Sequence, residues 1–184
     1  CSGPSHAYLS SGTYSASLSV SGPGGTDILT RTKYITVYEP AQASFTGSPS
    51  AGVAPLTVNF VNESAGEDDT CAWELGDGAT SSDCNNPSHE YVLAGNYTIT
   101  LTVSGLGGTD ALTRPDYVTV YEPAQASFTG SPNEGIAPLA VGFTNESTGE
   151  YGTCAWDFGD GGSSSDCNNP SHEYVLAGNY TVTL

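Results

Sequence analysis

The sequence predicts an all-β protein built from tandem β-sandwich repeats, and three observations support this prediction. Apolar and hydroxylated residues alternate with a period of two, most clearly in residues 97–103, as in strands with one buried and one wet face. Clusters of glycine, proline, asparagine and aspartate separate these short runs and indicate turns. The chain also matches itself without gaps at an offset of 83 residues, since 49 of 63 positions are identical between residues 39–101 and 122–184.

The opening segment follows the same register. Residues 1–38 agree with residues 84–121 at 22 of 38 positions. We therefore expect three repeats in the chain: the C-terminal part of one (1–38), a complete one (39–121) and one that lacks its last strand (122–184). The third is expected to stop inside its penultimate strand, and the natural protein is expected to be a longer, covalently continuous array.

Within the complete repeat, about seven short strands alternate with turns, which favours a β-sandwich. The alternation predicts which side chains point inward: Ala43, Phe45, Val58, Phe60, Tyr97, Ile99, Leu101, Val103, Val118 and Val120. The same alternation predicts that Tyr117 and Tyr121 face outward, where exposed aromatic rings are available for contacts.

The phrase CAWELGDG in the middle repeat returns as CAWDFGDG in the third. Its tryptophan, Trp73, is expected to fill the space between two sheets, and residues 76–78 to form a tight turn with positive φ. The shared register pairs Cys71 with Cys84 and Cys154 with Cys167 as disulfides. Each disulfide would close a short loop and stabilise its domain by about 3 kcal/mol.

Cys1 matches Cys84 in this register, so its partner would lie outside the sequence. A Cys–His catalytic pair of Cys84 with His89 is disfavoured because Cys84 already has a partner in register. A zinc site is equally weakly indicated because the sequence contains no C-x-x-C spacing.

The charge of the chain limits its partners. Twenty acidic residues stand against Arg31, Lys33 and Arg114, which gives a net charge of −17. Nucleic acid and anionic membrane surfaces are therefore not expected partners, because binding phosphates requires a basic surface. No apolar run approaches the roughly 20 residues of a membrane helix, so we expect no membrane insertion within this chain.

Four motifs of the third repeat resemble those of the polycystic-kidney-disease (PKD) domain, an immunoglobulin-like sandwich. They are F-x-N-x-S, W-D-F-G-D-G, N-P-x-H-x-Y and G-x-Y-x-V-x-L, at residues 143–147, 156–161, 169–174 and 178–184. The middle repeat has Glu74 and Leu75 in place of Asp and Phe, and the cysteine pair is an addition to the pattern. The resemblance covers the whole chain and implies tandem extracellular modules without catalytic residues.

Several acidic side chains and histidines allow a functional interpretation and a structural one. Asp77, Asp157 and Asp160 are carboxylates suited to acid–base chemistry, but their place in the turn motif favours bracing of a hairpin. His89 and His172 are interpreted as turn-packing residues. Glu67, Asp68 and Asp69 would bind calcium weakly at most, since the third repeat replaces the two aspartates with Tyr151 and Gly152. We expect no other cofactor and no specific metal site.

N-glycosylation sequons occur at Asn62 and Asn145 (NES) and at Asn96 and Asn179 (NYT). The NES asparagines coincide with a turn position of the PKD pattern, so they have an alternative structural role. Asn96 precedes an inward tyrosine and is expected to point outward, and Asn179 shares its context. Asn96 and Asn179 are therefore the stronger predictions for carrying glycan.

The leading functional hypothesis is a glycosylated extracellular rod or fibril whose partners are neighbouring repeats or copies. Glu122, Pro123 and Ala124 join two repeats without a flexible linker, and proline restricts φ. Each repeat should add about 35–45 Å, given that ten strand residues span about 34 Å. The alternative hypothesis is an accessory module of a secreted hydrolase or surface adhesin that binds polysaccharide or protein through outward tyrosines.

Overall fold

The computed structural model describes residues 3–67 and 70–184. These residues form β-strands and turns, with no helix among them. Their contacts divide into two compact units. The first contains the residues up to Ser50 together with Thr57–Tyr91 and Asn96–Thr119, and the second contains Ala51–Leu56, Val92–Gly95 and Val120–Leu184.

The opening segment is an antiparallel hairpin of β1 (Gly12–Gly22) and β2 (Gly25–Val37). Its register runs from Gly12 opposite Val37 to Gly22 opposite Gly25, with a shift after Tyr14. At this irregularity Lys33 has a φ of 50°, and its N–H donates to Oγ of Ser15 at 3.1 Å. A serine hydroxyl thus binds the backbone amide of a residue in the left-handed region, which residues other than glycine seldom enter.

The middle repeat contributes eight strands among the described residues. They are β3 (Phe45–Ser48), β4 (Ala51–Val53), β5 (Leu56–Asn62), β6 (Thr70–Glu74), β7 (Thr80–Ser81), β8 (Ser88–Tyr91), β9 (Gly95–Gly105) and β10 (Gly108–Tyr121). One sheet has the order β3-β5-β8 and the other the order β4-β10-β9-β6-β7. The tandem β-sandwich class predicted from the sequence is therefore confirmed.

The core of the first unit forms from the alternation of β5, β6 and β9. Trp73 lies opposite Leu101 and Cys71 opposite Val103, so every second residue of β6 and β9 faces the same interior. The side chains predicted to point inward are buried or half-buried, and Phe45, Phe60 and Trp73 are fully enclosed. Burial of these large aromatic rings removes apolar surface from water and stabilises the core.

The third repeat contributes β11 (Phe128–Ser131), β12 (Leu139–Asn145), β13 (Trp156–Asp157), β14 (Ser163–Ser164) and β15 (Ser171–Tyr174). Its sheets are β11-β12-β15 and β13-β14. The core of the second unit consists of the buried residues Val141, Phe143, Trp156, Phe158 and Tyr174.

Residues 178–184 do not form the penultimate strand that the sequence predicted. They are tied to the sheet by one bridge, in which the N–H groups of Asp157 and Thr183 donate to each other's carbonyls at 3.0 and 2.9 Å. The corresponding β9 is hydrogen-bonded to both β6 and β10. The pairing described for residues 178–184 is thus a single bridge, whereas β9 is paired along both of its edges.

Candidate functional site

The repeated tryptophan turn has the same structure in both units. The indole N–H of Trp73 donates to the carbonyl of Asp83 at 3.0 Å, and that of Trp156 donates to Asp166 at 2.9 Å. The ring of Trp73 packs edge-on against Phe45, with the centroids 5.3 Å apart. The tryptophan therefore joins the core to the loop that precedes the second cysteine.

An aspartate and a histidine brace the turn that follows each tryptophan. Oδ2 of Asp77 lies 2.7 Å from Nε2 of His89, and Oδ1 accepts the N–H of Ala79 at 3.0 Å. In the second unit Oδ2 of Asp160 lies 2.8 Å from Nε2 of His172, and Oδ1 accepts the N–H of Gly162 at 2.9 Å. Both oxygens of each carboxylate are therefore engaged within the turn.

These contacts lower the pKa of both aspartates. At Asp77, burial alone would raise the pKa of the carboxyl, but the hydrogen bonds from His89 and from the N–H of Ala79 outweigh burial and lower it. At Asp160, the hydrogen bond from His172 is the largest cause of the lowered pKa, and the N–H of Gly162 adds to it. The folded state thus favours the ionised form of each carboxyl.

The aspartates should make stability fall in acid. Because their folded pKa is lowered, their contribution is present above the unfolded value of about 4 and is lost as pH falls through the folded value. We expect Asp77→Asn and Asp160→Asn to flatten the decline of the denaturation midpoint below about pH 4. Denaturant titrations at several pH values measure this slope, and Glu90→Gln controls for loss of an exposed charge. A slope unchanged in both aspartate variants would contradict the assignment.

A buried tyrosine hydroxyl completes the turn. Tyr91 donates to the carbonyl of Leu75 at 2.9 Å, and Tyr174 donates to that of Phe158 at 3.0 Å. Burial raises the pKa of both hydroxyls, and the negative charges of Asp77 and Asp160 raise it further. Both tyrosines therefore contribute stability below their unfolded pKa of about 10, and this contribution is lost as pH rises toward the folded value.

Both predicted disulfides are present. Cys71 is bonded to Cys84 and Cys154 to Cys167, with Cα atoms 5.4 and 5.3 Å apart. Each joins the segment that carries the tryptophan to the loop that follows the turn. The prediction for Cys1 lies outside the described residues.

The NES asparagines are built into the turn next to the disulfide. Oδ1 of Asn62 accepts the N–H of Ser64 at 3.0 Å, and its Nδ2 lies 3.4 Å from the carbonyl oxygen of Cys84 and 3.5 Å from Sγ of Cys71. Asn145 repeats this arrangement, with Nδ2 3.1 Å from the carbonyl oxygen of Cys167. The amides of both asparagines are therefore structural.

The NYT asparagines lie elsewhere. Asn96 is the second residue of β9 and is exposed, and Asn179 is exposed in the segment after β15. The tyrosine after each asparagine packs inward, with 4.4 Å between the rings of Tyr97 and Tyr91. Their accessibility agrees with the period-two pattern, while their glycosylation stays a prediction.

One outward assignment is wrong. Tyr117 is half-buried because its hydroxyl accepts the N–H of Gly47 at 2.9 Å and its ring packs edge-on against Phe45. The guanidinium of Arg114 lies about 5 Å from both rings. Tyr117 thus packs β10 against β3. Tyr121 faces outward as predicted, with 41% of its surface exposed. Val118 and Val120 are buried as the alternation predicted, so Tyr117 departs from it because its ring and hydroxyl contact Phe45 and Gly47.

Sequence reasoning also missed a role for the second asparagine of NNPS. Oδ1 of Asn86 accepts the N–H of Asn62 at 2.9 Å, and Oδ1 of Asn169 accepts that of Asn145 at 2.8 Å. Both asparagines have positive φ, at 66° and 63°. Asparagine adopts positive φ more readily than most residues. The asparagine repeated before proline in both copies of NNPS was therefore the sequence signal for this turn.

The proposed calcium ligands are only partly described, since Asp68 and Asp69 fall between the two described ranges. Within residues 3–67 and 70–184, no group of three or more metal-ligating side chains comes together. Nor do these residues form a helix long and apolar enough to span a bilayer.

Comparison with known proteins identifies the family of this chain. The family model for the PKD domain matches residues 40–120 and again 123–184. Similar solved structures include the PKD1 domain of Vibrio anguillarum Epp (34% identity, TM-score 0.38, covering 46% of this chain and 99% of that one). Another is the PKD1 domain of the Vibrio cholerae metalloprotease PrtV (30% identity, TM-score 0.37, covering 44% and 98%). This chain therefore belongs to the PKD domain family and contains PKD domains in tandem.

Proposed function

We propose that this chain is part of a non-catalytic, glycosylated extracellular rod or fibril in which successive PKD domains are held by stiff junctions. PKD domains are extracellular accessory or structural modules, and disulfides suit an oxidising environment. The observation that carries the proposal is that each junction segment is packed onto the domain that follows it.

In the first unit the segment Glu39, Pro40 and Ala41 is held by two glycines. The N–H of Ala41 donates to the carbonyl of Gly107 at 3.3 Å, and the N–H of Glu67 donates to the carbonyl of Glu39 at 3.5 Å. A Cβ on Gly66 would collide with the carbonyl of Pro40, and one on Gly107 with that of Glu39. The backbone of this segment therefore lies in direct contact with the domain it enters.

The second unit repeats the arrangement independently. The N–H of Glu150 donates to the carbonyl of Glu122 at 3.1 Å, and a Cβ on Gly149 would collide with the carbonyl of Pro123. Close packing leaves such a segment few alternative conformations, and proline fixes its own φ. A linker of this kind favours a stiff array over independently moving domains.

The carboxylates support a structural role over a catalytic one. Both oxygens of Asp77 and Asp160 are used inside the turn, and Oδ1 of Asp157 accepts the N–H of Gly159 at 2.9 Å. Acid–base catalysis requires a carboxyl that can reach a substrate proton. We therefore expect hydrolysis assays to show no activity for the wild-type chain, and no change for Asp160→Asn.

The junction can be tested by one glycine substitution. Gly149 has a φ of +82°, and Gly149→Ala should push the Pro123 carbonyl away and loosen the linker. Small-angle X-ray scattering should then show a broader distribution of interatomic distances between the two PKD domains than in the wild-type chain.

The matched control is Gly161→Ala. Gly161 has a similar φ of +93°, but a Cβ there would meet nothing within 4 Å. It therefore reproduces the backbone strain, about 1–2 kcal/mol, without touching a linker. Equal scattering from both variants and the wild type would count against stiff junctions.

A second candidate function is binding of polysaccharide or protein as an accessory module. It is favoured by Tyr38 and Tyr121, which occupy the same register position before a junction and are 42% and 41% exposed. Exposed tyrosine rings are suited to stacking on sugar faces. Retention of the chain on insoluble polysaccharide, lost in the Tyr38→Ala, Tyr121→Ala double variant, would support this function over the rod.

A further inference from the structure

The four sequons differ in their relation to the disulfides. The Asn62 amide is half-buried beside Cys71 and Cys84, whereas Asn96 is exposed on β9. Oδ1 of Asn62 is fixed by the N–H of Ser64 at 3.0 Å, so its Nδ2 must face the disulfide. The two hydrogens on Nδ2 then point toward the Cys84 carbonyl and the Cys71 sulfur.

The second unit gives the same geometry from an independent sequence segment. Oδ1 of Asn145 accepts the N–H of Ser147 at 3.0 Å, and Nδ2 lies 3.1 Å from the carbonyl oxygen of Cys167 and 3.8 Å from Sγ of Cys154. The sulfur contact is longer here, but the orientation of the amide is unchanged. The arrangement therefore follows from the repeated motif.

N-glycosylation replaces one of the two hydrogens on Nδ2. The transfer joins Nδ2 to C1 of the sugar and breaks the bond from C1 to the diphosphate oxygen of a nucleotide-activated hexose. It releases one amide proton and the nucleoside diphosphate. At Asn62 one hydrogen is directed at Sγ of Cys71 and the other at the backbone carbonyl of Cys84, so a sugar in either place would push one of the two bonded cysteines out of position.

We propose that an N-glycan on Asn62 excludes the Cys71–Cys84 disulfide in the same domain, and that one on Asn145 excludes Cys154–Cys167. Each NES sequon is thus a modification site of the unfolded or reduced chain alone. Asn96 and Asn179 are exposed in the disulfide-bonded chain. The inference deepens the proposed glycosylated function, on which it rests for its biological setting.

The test modifies the chain first and oxidises it afterwards. The full 184-residue chain is reduced, unfolded and treated with a soluble N-glycosyltransferase and a nucleotide-activated hexose, and modification of the NES sites is verified by peptide mass. Refolding with oxidised glutathione then converts two thiols to a disulfide as glutathione takes up two electrons and two protons. Non-reducing peptide mapping reads each disulfide separately.

Two sequon variants provide crossed controls. Ser64→Ala removes the acceptor site at Asn62 but leaves the one at Asn145, and Ser147→Ala does the reverse. In the Ser64→Ala chain we expect Cys71–Cys84 to form while Cys154–Cys167 is at least about tenfold less occupied, the factor expected for losing two net hydrogen bonds. The Ser147→Ala chain should show the opposite pattern.

Equal occupancy of the two disulfides in either modified chain would overturn the inference. A reduction of both disulfides to the same extent in both variants would also overturn it, because the effect would then not be local to the modified domain. The proposed function fails on a different result, namely Asn96 and Asn179 without glycan on the native protein.

Discussion

Replacing Trp73 with alanine should lower the free energy of unfolding of the first unit by about 3–5 kcal/mol, the cost typical of deleting a buried aromatic side chain. Trp73 is fully buried, its ring packs against Phe45 and Phe60, and its N–H donates to the carbonyl of Asp83. The variant loses these contacts and leaves a cavity. A domain of this size has a total stability of about 5–15 kcal/mol, so the unit should become marginal.

The two tryptophans allow the two units to be observed separately. In Trp73→Ala, the fluorescence of Trp156 reports only on the second unit, while hydrogen exchange of β5 amides reports on the first. Trp73→Phe keeps most of the apolar volume but loses the hydrogen bond, so its loss of stability should be smaller. Protection of β5 unchanged in Trp73→Ala would contradict the assignment of this ring as the centre of the core.

Removing the Cys71–Cys84 disulfide should destabilise the first unit by about 3 kcal/mol, mainly because the unfolded chain gains conformational freedom. The bond closes a separation of 13 residues and ties β6, in the core, to the loop after β7. Denaturant titration of the Cys71→Ala, Cys84→Ala double variant measures the loss.

Cys154→Ala, Cys167→Ala is the matched variant in the second unit, because its bond spans the same 13 residues. Each double variant should shift the transition of its own unit. A shift below about 0.5 kcal/mol in both would mean that the surrounding core already holds the loop without the bond.

Features set by local residue pattern were predictable from the sequence. The 83-residue register identified both disulfides, and the period of two identified the buried faces of β5 and β9. The glycines of the tryptophan turn were predicted to have positive φ, and Gly76 and Gly78 do. In each case the structure follows from neighbouring residues or from direct repetition.

Features set by long-range pairing were not predictable in this way. Tyr117 is held by Gly47, which is 70 residues away, and Ala43 donates its N–H to Asp110 across 67 residues. The positive φ of Lys33 accompanies a shift in the register of β1 and β2 that alternation cannot show. The junction contacts of Gly66 and Gly149 likewise require knowledge of which backbone segments approach one another.

The central proposal, that the junctions between PKD domains are stiff, can be tested by residual dipolar couplings of backbone amides in the weakly aligned wild-type chain. The couplings are fitted separately for the two matched domains, residues 40–120 and 123–184. Stiff junctions predict that one alignment tensor fits both domains with the same magnitude. Two tensors of clearly different magnitude would mean that the domains reorient independently, and would contradict the account.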